Sequence, residues 1–249
     1  MLLTGVTIGG GFDPDAQAFI TAAGITDSTQ QSSINTLALG LKANSLWTLG
    51  DAFYPFIGGT STSCSYNLKN TAQYQITWAN MLSGDFTANG ITGNAFNKTG
   101  NTTINPTTLG RNDICIGTYC RLNITNSKTT IGTSTNKVEI SPRDAGTFYM
   151  AANGTETNIS NTDSRGLFTV SSAGTTTVQG YVNGSQLKST SKTLTVVNEN
   201  IHVLSAGGSG QFSAQNLAFA FVSKELTSTQ VSNLYTLIQN FQTALGRNV

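Results

Sequence analysis

Charge is what this sequence has least of. Lysine, arginine, aspartate and glutamate make up 10% of its 249 residues, against roughly 25% in an average soluble domain. The formal net charge is +1, so the basic footprint that neutralises phosphates is missing and nucleic-acid binding is excluded as a role. Histidine occurs once, as His202, and the three cysteines Cys64, Cys115 and Cys120 contain no Cys-x-x-Cys pair. Neither a zinc site nor a disulfide framework is supported. Cys115 and Cys120 are an odd number of residues apart, so a continuous strand sends them to opposite faces. Pairing them would need a turn at Gly117-Thr118. No apolar run approaches the roughly 20 residues of a membrane-spanning helix, so no membrane insertion is expected. Met1-Leu2-Leu3-Thr4-Gly5 lacks a basic n-region, and the chain reads as soluble and unprocessed.

Neutral polar residues fill the place of the charges, and they fall into a readable order. Residues 1–12, with Gly9-Gly10-Gly11, read as a flexible or partner-ordered arm. The glycines precede a capped helix but lack the Gly-Lys-Ser/Thr ending of a phosphate loop, and no cofactor is implied. Residues 13–59 read as a helical hairpin and an aromatic connector. Asp13 caps the first helix with Pro14 behind it, Ala16, Phe19, Ile20 and Ala23 share a face, and Gly24 suits the stop. Asp27 caps the second, where Ile34, Leu37, Ala38 and Leu41 make the apolar stripe. Trp47, Phe53, Tyr54 and Phe56 then pack that hairpin onto a β core.

Residues 60–249 alternate short Thr-, Val-, Ile-, Tyr- and Phe-rich runs with Gly, Asn and Ser clusters, the pattern of strands and turns. Strands are predicted over 74–78, 112–124, 137–141, 147–152, 166–171, 176–182, 185–187, 193–197, 201–205 and 217–222. Asn183-Gly184 is the strongest hairpin signal, with Asn89-Gly90 and Asn153-Gly154 as weaker ones. No helical pattern recurs between the strands, so the class is mainly β, a sandwich or jelly roll. A final helix is capped by Thr227 with Gln230 in the capping-box position, and Val231, Leu234, Tyr235, Ile238, Phe241 and Leu245 form its apolar face.

Tyr181-Val182-Asn183-Gly184, residues 200–204 and 217–222, and Leu226-Thr227-Ser228-Thr229-Gln230-Val231 resemble the closing segments of concanavalin A-like, laminin-G-type jelly rolls. The hairpin sequences 15–20, 24–27 and 31–35, with Tyr54-Pro55-Phe56-Ile57-Gly58-Gly59, resemble bacteriophage virion and tail-associated proteins, as does the ending Leu245-Gly246-Arg247-Asn248-Val249. Residues 97–165 match only loosely. The resemblance implies a virion structural protein, in a capsid decoration, head fibre or tail, displaying a lectin-like jelly roll and localised to the particle. It implies other virion proteins as partners, a homo-oligomer (a trimer for a fibre or spike), and a host-surface glycan as a further partner. A glycan-binding receptor module and a polysaccharide depolymerase are the alternatives.

No catalytic constellation is visible. Glycoside hydrolysis needs two carboxyl groups roughly 5–10 Å apart, and the glutamates Glu139, Glu156, Glu199 and Glu225 stand far apart in the chain. A non-enzymatic role is expected, without metal. His202 reads as a solvent-facing or interface residue in its strand. Trp78, Tyr149 and Tyr181 are the candidate glycan contacts, because aromatic faces stack on sugar rings. Core packing is the competing and more frequent role of such residues, as it is for Trp47.

Overall fold

The computed structural model describes residues 11–110, 112–135, 137–173, 177–191 and 195–249. Most of the predicted arm, residues 1–10, lies outside the described residues, as do position 176 and positions 193–194 of two predicted strands.

The hairpin helices are α1 (Pro14–Ala23) and α2 (Ser28–Ala43). Asp13 accepts from the backbone N–H groups of Asp15 and Ala16, and Gly24 ends α1 at φ 65°, a left-handed conformation that glycine adopts without steric cost. The chain continues through β1 (Gly50–Tyr54), α3 (Ser61–Ser65), β2 (Thr77–Ala79), β3 (Phe86–Thr87), β4 (Gly90–Thr92) and β5 (Thr99–Asn101). Then come β6 (Ile114–Cys120), β7 (Asn126–Ser127), β8 (Ile131–Gly132), β9 (Glu139–Asp144), β10 (Thr147–Ala152) and β11 (Thr155–Ser160). The last third holds β12 (Gly166–Ala173), β13 (Thr177–Val182), β14 (Ser185–Ser191), β15 (His202–Val203), β16 (Asn216–Ser223) and α4 (Ser228–Ala244).

Two antiparallel sheets form the body. The first runs β14-β13-β12-β6-β16-β4-β3, with β1 also paired to β16. The second runs β11-β10-β9-β8-β15-β5-β2, with β7 on β9. One apolar core, including Ile116, Phe148, Met150, Phe168 and Val203, fills the space between the sheets. A second core lies on the other face of the first sheet, where Tyr119, Tyr181, Phe219 and Phe221 meet Phe19, Leu41, Leu234 and Phe241 of the helices. Alternate residues of β6, β12 and β13, and residues of β16, therefore serve different cores, the period-2 geometry of a doubly covered sheet. The layers are helices, first sheet, second sheet, and among the described residues the outer face of the second sheet has no helical cover.

The connector after the hairpin differs from expectation, because Gly50–Tyr54 is a strand. Phe53 points to the helical core and Tyr54 to the inter-sheet core, so this segment joins the hairpin to the sandwich by pairing with β16. The run predicted at 193–197 is not a strand over its described residues, although Val197 is buried. Cys115 and Cys120 face different cores as the spacing requires, and both thiols are buried and free. The Asn-Gly turns at 153–154 and 183–184 have both residues at positive φ, and they join β10 to β11 and β13 to β14 as two-residue hairpins.

A buried arginine ties the end of the chain to this body. Arg247, 1% exposed, donates to the carbonyls of Pro55 (2.7 Å), Phe56 (2.8 Å), Ala88 (3.2 Å) and Ala218 (2.9 Å), and to Gln242 Oε1 (2.6 Å). Burial pulls its basicity down to about 9, which leaves it a cation at neutral pH.

Candidate functional site

The open face of the second sheet carries a polar cleft, and strand register explains its composition. Ala151 of β10 sits directly between Glu139 of β9 and Glu156 of β11. In the next row Tyr149 sits between Ser141 and Asn158. The opposite side chains of the same strands, Ile140, Phe148 and Met150, are in the inter-sheet core. Ala151 offers only a methyl group, so the glutamates on either side converge over it on one ammonium. Lys137 Nζ is 3.6 Å from Glu139 and ion-paired with Glu156. Its pKa is raised by the hydrogen bond to Glu156, which outweighs the cost of burial, with the charges of Glu139 and Glu156 adding to it.

Glu139 is nearly enclosed, with its side chain 9% exposed. Its Oε1 accepts from the hydroxyls of Thr129 (2.8 Å) and Ser141 (2.7 Å), which supplies the hydrogen bonds a buried carboxylate needs. Tyr149 is half-buried beside this network, and its hydroxyl has no hydrogen-bond partner among the described residues. Asp144 closes one end of the cleft and receives Lys128 Nζ at 2.7 Å.

The other wall is the glycine-rich loop after β15. Ala206 N–H donates to Gly210 O (3.0 Å), Gly207 N–H to Gly132 O (3.2 Å), and Thr129 N–H to Gln211 O (3.1 Å). These bonds fold residues 206–211 over β8 and bring Gln211 to the cleft lining. At the rim, Glu199 accepts from the backbone N–H and hydroxyl of both Ser134 and Thr135 at 2.6–3.2 Å. Burial alone would raise the Glu199 carboxyl, and these hydrogen bonds outweigh it, so its pKa is lowered. The cleft encloses about 270 Å³ and is lined by Thr133, Lys137, Glu139, Tyr149, Glu156 and Gln211 among others.

Of the aromatic residues singled out in the sequence, Tyr149 alone lies at this cleft. Trp78 turns inward from β2, its ring 5.2 Å from Phe86 and 6.3 Å from Phe56, and its indole N–H donates to Ser61 O at 2.9 Å. Tyr181 is 0% exposed in the helical core, with its hydroxyl bonded to Gln179 (2.7 Å) and Ser228 (3.1 Å). The structure therefore separates the three residues. Trp47 stacks on Phe53 at 6.1 Å and carries Lys42 Nζ 4.9 Å from its ring.

His202 is half-buried next to the cleft. It shares a row with Gly132, and its Nδ1 is 3.2 Å from Thr99 Oγ1. Burial lowers its pKa, partly countered by Glu199. A Cβ on Gly208 would meet its imidazole at 2.7 Å, so the loop rests on this ring. Among the described residues no group of three or more His, Cys, Asp or Glu side chains is placed to hold a metal.

A second cavity of about 430 Å³ lies between α2 and α4, lined by Leu37, Leu237, Phe241 and small polar residues, with no charged group.

No family model matches this sequence, and no curated protein matches it. Solved structures do. The binding domain of botulinum neurotoxin serotype D aligns with a TM-score of 0.52 at 12% identity, over 77% of this chain and 51% of that one. A structure titled for cell entry of botulinum neurotoxin type C, dependent on interaction with two ganglioside molecules, aligns with 0.52 at 12%, over 79% and 53%. The receptor-binding domain of the mosaic serotype C/D gives 0.51 at 12%, over 76% and 51%. This chain thus spans about half the length of those chains. At such identity the likeness is one of fold, a mainly β jelly-roll sandwich of the concanavalin A-like kind, to which this chain's own structure adds the N-terminal helical hairpin and the closing amphipathic helix.

Proposed function

We propose that this chain is a non-enzymatic saccharide-recognition module of a bacteriophage particle, and that the cleft on the second sheet is its binding site. The observation that carries the reading is the cleft itself. A half-exposed tyrosine whose hydroxyl has no partner among the described residues stands beside a fixed network of carboxylates, hydroxyls and an ammonium, on a sheet face that no described helix covers. Saccharide sites need this combination of an apolar ring face and several fixed polar groups. The neighbours' titles, which name receptor-binding domains and ganglioside interaction, support a binding role by fold analogy.

The virion assignment is supported by the resemblance of both chain ends to phage virion proteins. Attachment to other virion proteins through the helical layer would leave the cleft pointing outward, because the two lie on opposite faces of the body. Homo-oligomerisation, as a trimer in a fibre or spike, fits the symmetric assembly of such parts. Mass spectrometry of purified particles tests the location, and light scattering of the purified chain tests the oligomer. An enzyme released free of particles would remove the virion assignment.

Binding is tested on a glycan array and by host adsorption. The wild-type chain should bind host polysaccharide, and Tyr149→Ala should not. A depolymerase is the second reading, favoured by the convergence of Glu139 and Glu156. Against it, Glu139 is already engaged by Thr129, Ser141 and Lys137, whereas hydrolysis needs a carboxyl free to protonate the leaving oxygen. Release of reducing ends from host polysaccharide would favour hydrolysis, and its absence alongside binding supports recognition alone.

A further inference from the structure

We propose that the cleft selects a terminal neutral or amino sugar and rejects anionic ones; this rests on the saccharide reading above. The argument is the charge inventory of the lining. Glu139, Asp144 and Glu156 line the cleft together with Lys137, and Lys128 is committed to Asp144 at 2.7 Å. Carboxylates therefore outnumber ammonium groups. Lys137 is shared between two glutamates, and Arg143 of β9 is not part of the lining, its Nη1 directed to Asn123 at 3.0 Å. Glu199 at the rim adds a further negative group, held by Ser134 and Thr135. Among the described residues of the cleft no cation is left to receive an incoming carboxylate.

What the lining offers instead is acceptors. The Glu156 side chain is 34% exposed, so it can take charge-assisted hydrogen bonds from sugar hydroxyls or pair with a sugar ammonium. The Tyr149 hydroxyl and the Gln211 amide, both without hydrogen-bond partners among the described residues, supply the donors that a ring or acetamido oxygen needs. Ala151 is buried beneath the Glu139, Glu156 and Lys137 side chains, and the cleft volume of about 270 Å³ falls just below the usual range for small-molecule pockets, which suits one terminal residue better than a long chain segment. A sialylated end would bring its carboxylate against Glu156 and Glu139, and like-charge juxtaposition in a partly enclosed site is costly.

The test is calorimetric titration of the full chain with three probes of equal length, ending in N-acetylglucosamine, glucosamine or sialic acid. The neutral and amino-terminated probes should bind at least about tenfold more tightly than the sialylated one. Glu156→Gln, a surface change, should reduce the advantage of the glucosamine probe over the sialylated probe by about tenfold. Equal or tighter binding of the sialylated probe, or a ratio unmoved by Glu156→Gln, overturns the charge-selection proposal while leaving saccharide recognition standing. Binding of none of the three, with host polysaccharide also unbound, removes the saccharide reading and this inference with it.

Discussion

Tyr149, Trp78 and Tyr181 are alike in the sequence, each an aromatic residue in a short β-like run, and the fold gives each a different neighbourhood. Tyr149 is beside the polar cleft, Trp78 against Phe86, and Tyr181 under α4. Substitutions should separate them. Tyr149→Ala should weaken saccharide binding by about tenfold or more with little change in Tm, since a half-exposed ring contributes more to a ligand than to the core. Tyr181→Ala should instead cost about 3–5 kcal/mol in denaturant unfolding, the usual range for an enclosed aromatic side chain. Arg247→Met belongs with Tyr181. It would remove the donors to the carbonyls of Pro55, Phe56 and Ala88 and one of the two donors to Ala218, and a loss of about 3–5 kcal/mol is expected by the same assay. The β-like run 147–152 made Tyr149 a legible candidate as an aromatic residue at a strand position. Glu139 and Glu156 were not legible as a pair, because strand register brings them together across Ala151 and no spacing in the chain shows it.

At the scale of elements, the helical hairpin and the β9–β10 turn make separate predictions. Lys42 Nζ reaches Asp13 at 2.7 Å and Asp15 at 2.5 Å, joining the start of α1 to the end of α2. The Asp13 carboxyl is lowered in spite of burial, through Lys42 and the backbone N–H groups of Asp15 and Ala16. A depressed folded pKa contributes stability that is present above the unfolded value of 3.8 and lost as pH falls through the folded one. Acid titration followed by hydrogen exchange should therefore show the hairpin losing protection below that pH, and Asp13→Asn should abolish the dependence. In the β9–β10 turn, Ala145 is held at φ 49° ahead of Gly146 at 83°, where asparagine is better tolerated. Ala145→Asn should stabilise by up to about 1 kcal/mol, read as a rise in Tm. Helices α1, α2 and α4 were legible because caps and a 3.6-residue stripe coincide in each. Strands β3, β4, β5 and β8, of two or three residues each, are too short to show alternation and are defined only by their partners. β1 was hidden because Ala52, Phe53 and Tyr54 run on as consecutive buried residues shared between two cores, which leaves no alternation to read.

At the scale of the whole molecule, the three layers divide the work. The first sheet is covered on both faces and carries the two cores, while the second sheet is covered on one face and presents the other. His202 links the open face to the loop that walls the cleft. Burial lowers its pKa below 6.5, so its contribution to stability is present above that value and fades as pH falls through the folded pKa. The central claim concerns what this open face does. It is tested most directly by mapping NMR shift changes of the labelled chain during titration with an N-acetylglucosamine-terminated oligosaccharide. The account predicts saturable shifts confined to residues 133–141, 149–156 and 206–211, abolished by Tyr149→Ala. Shifts confined to the helical layer, or none at saturating sugar, would contradict it.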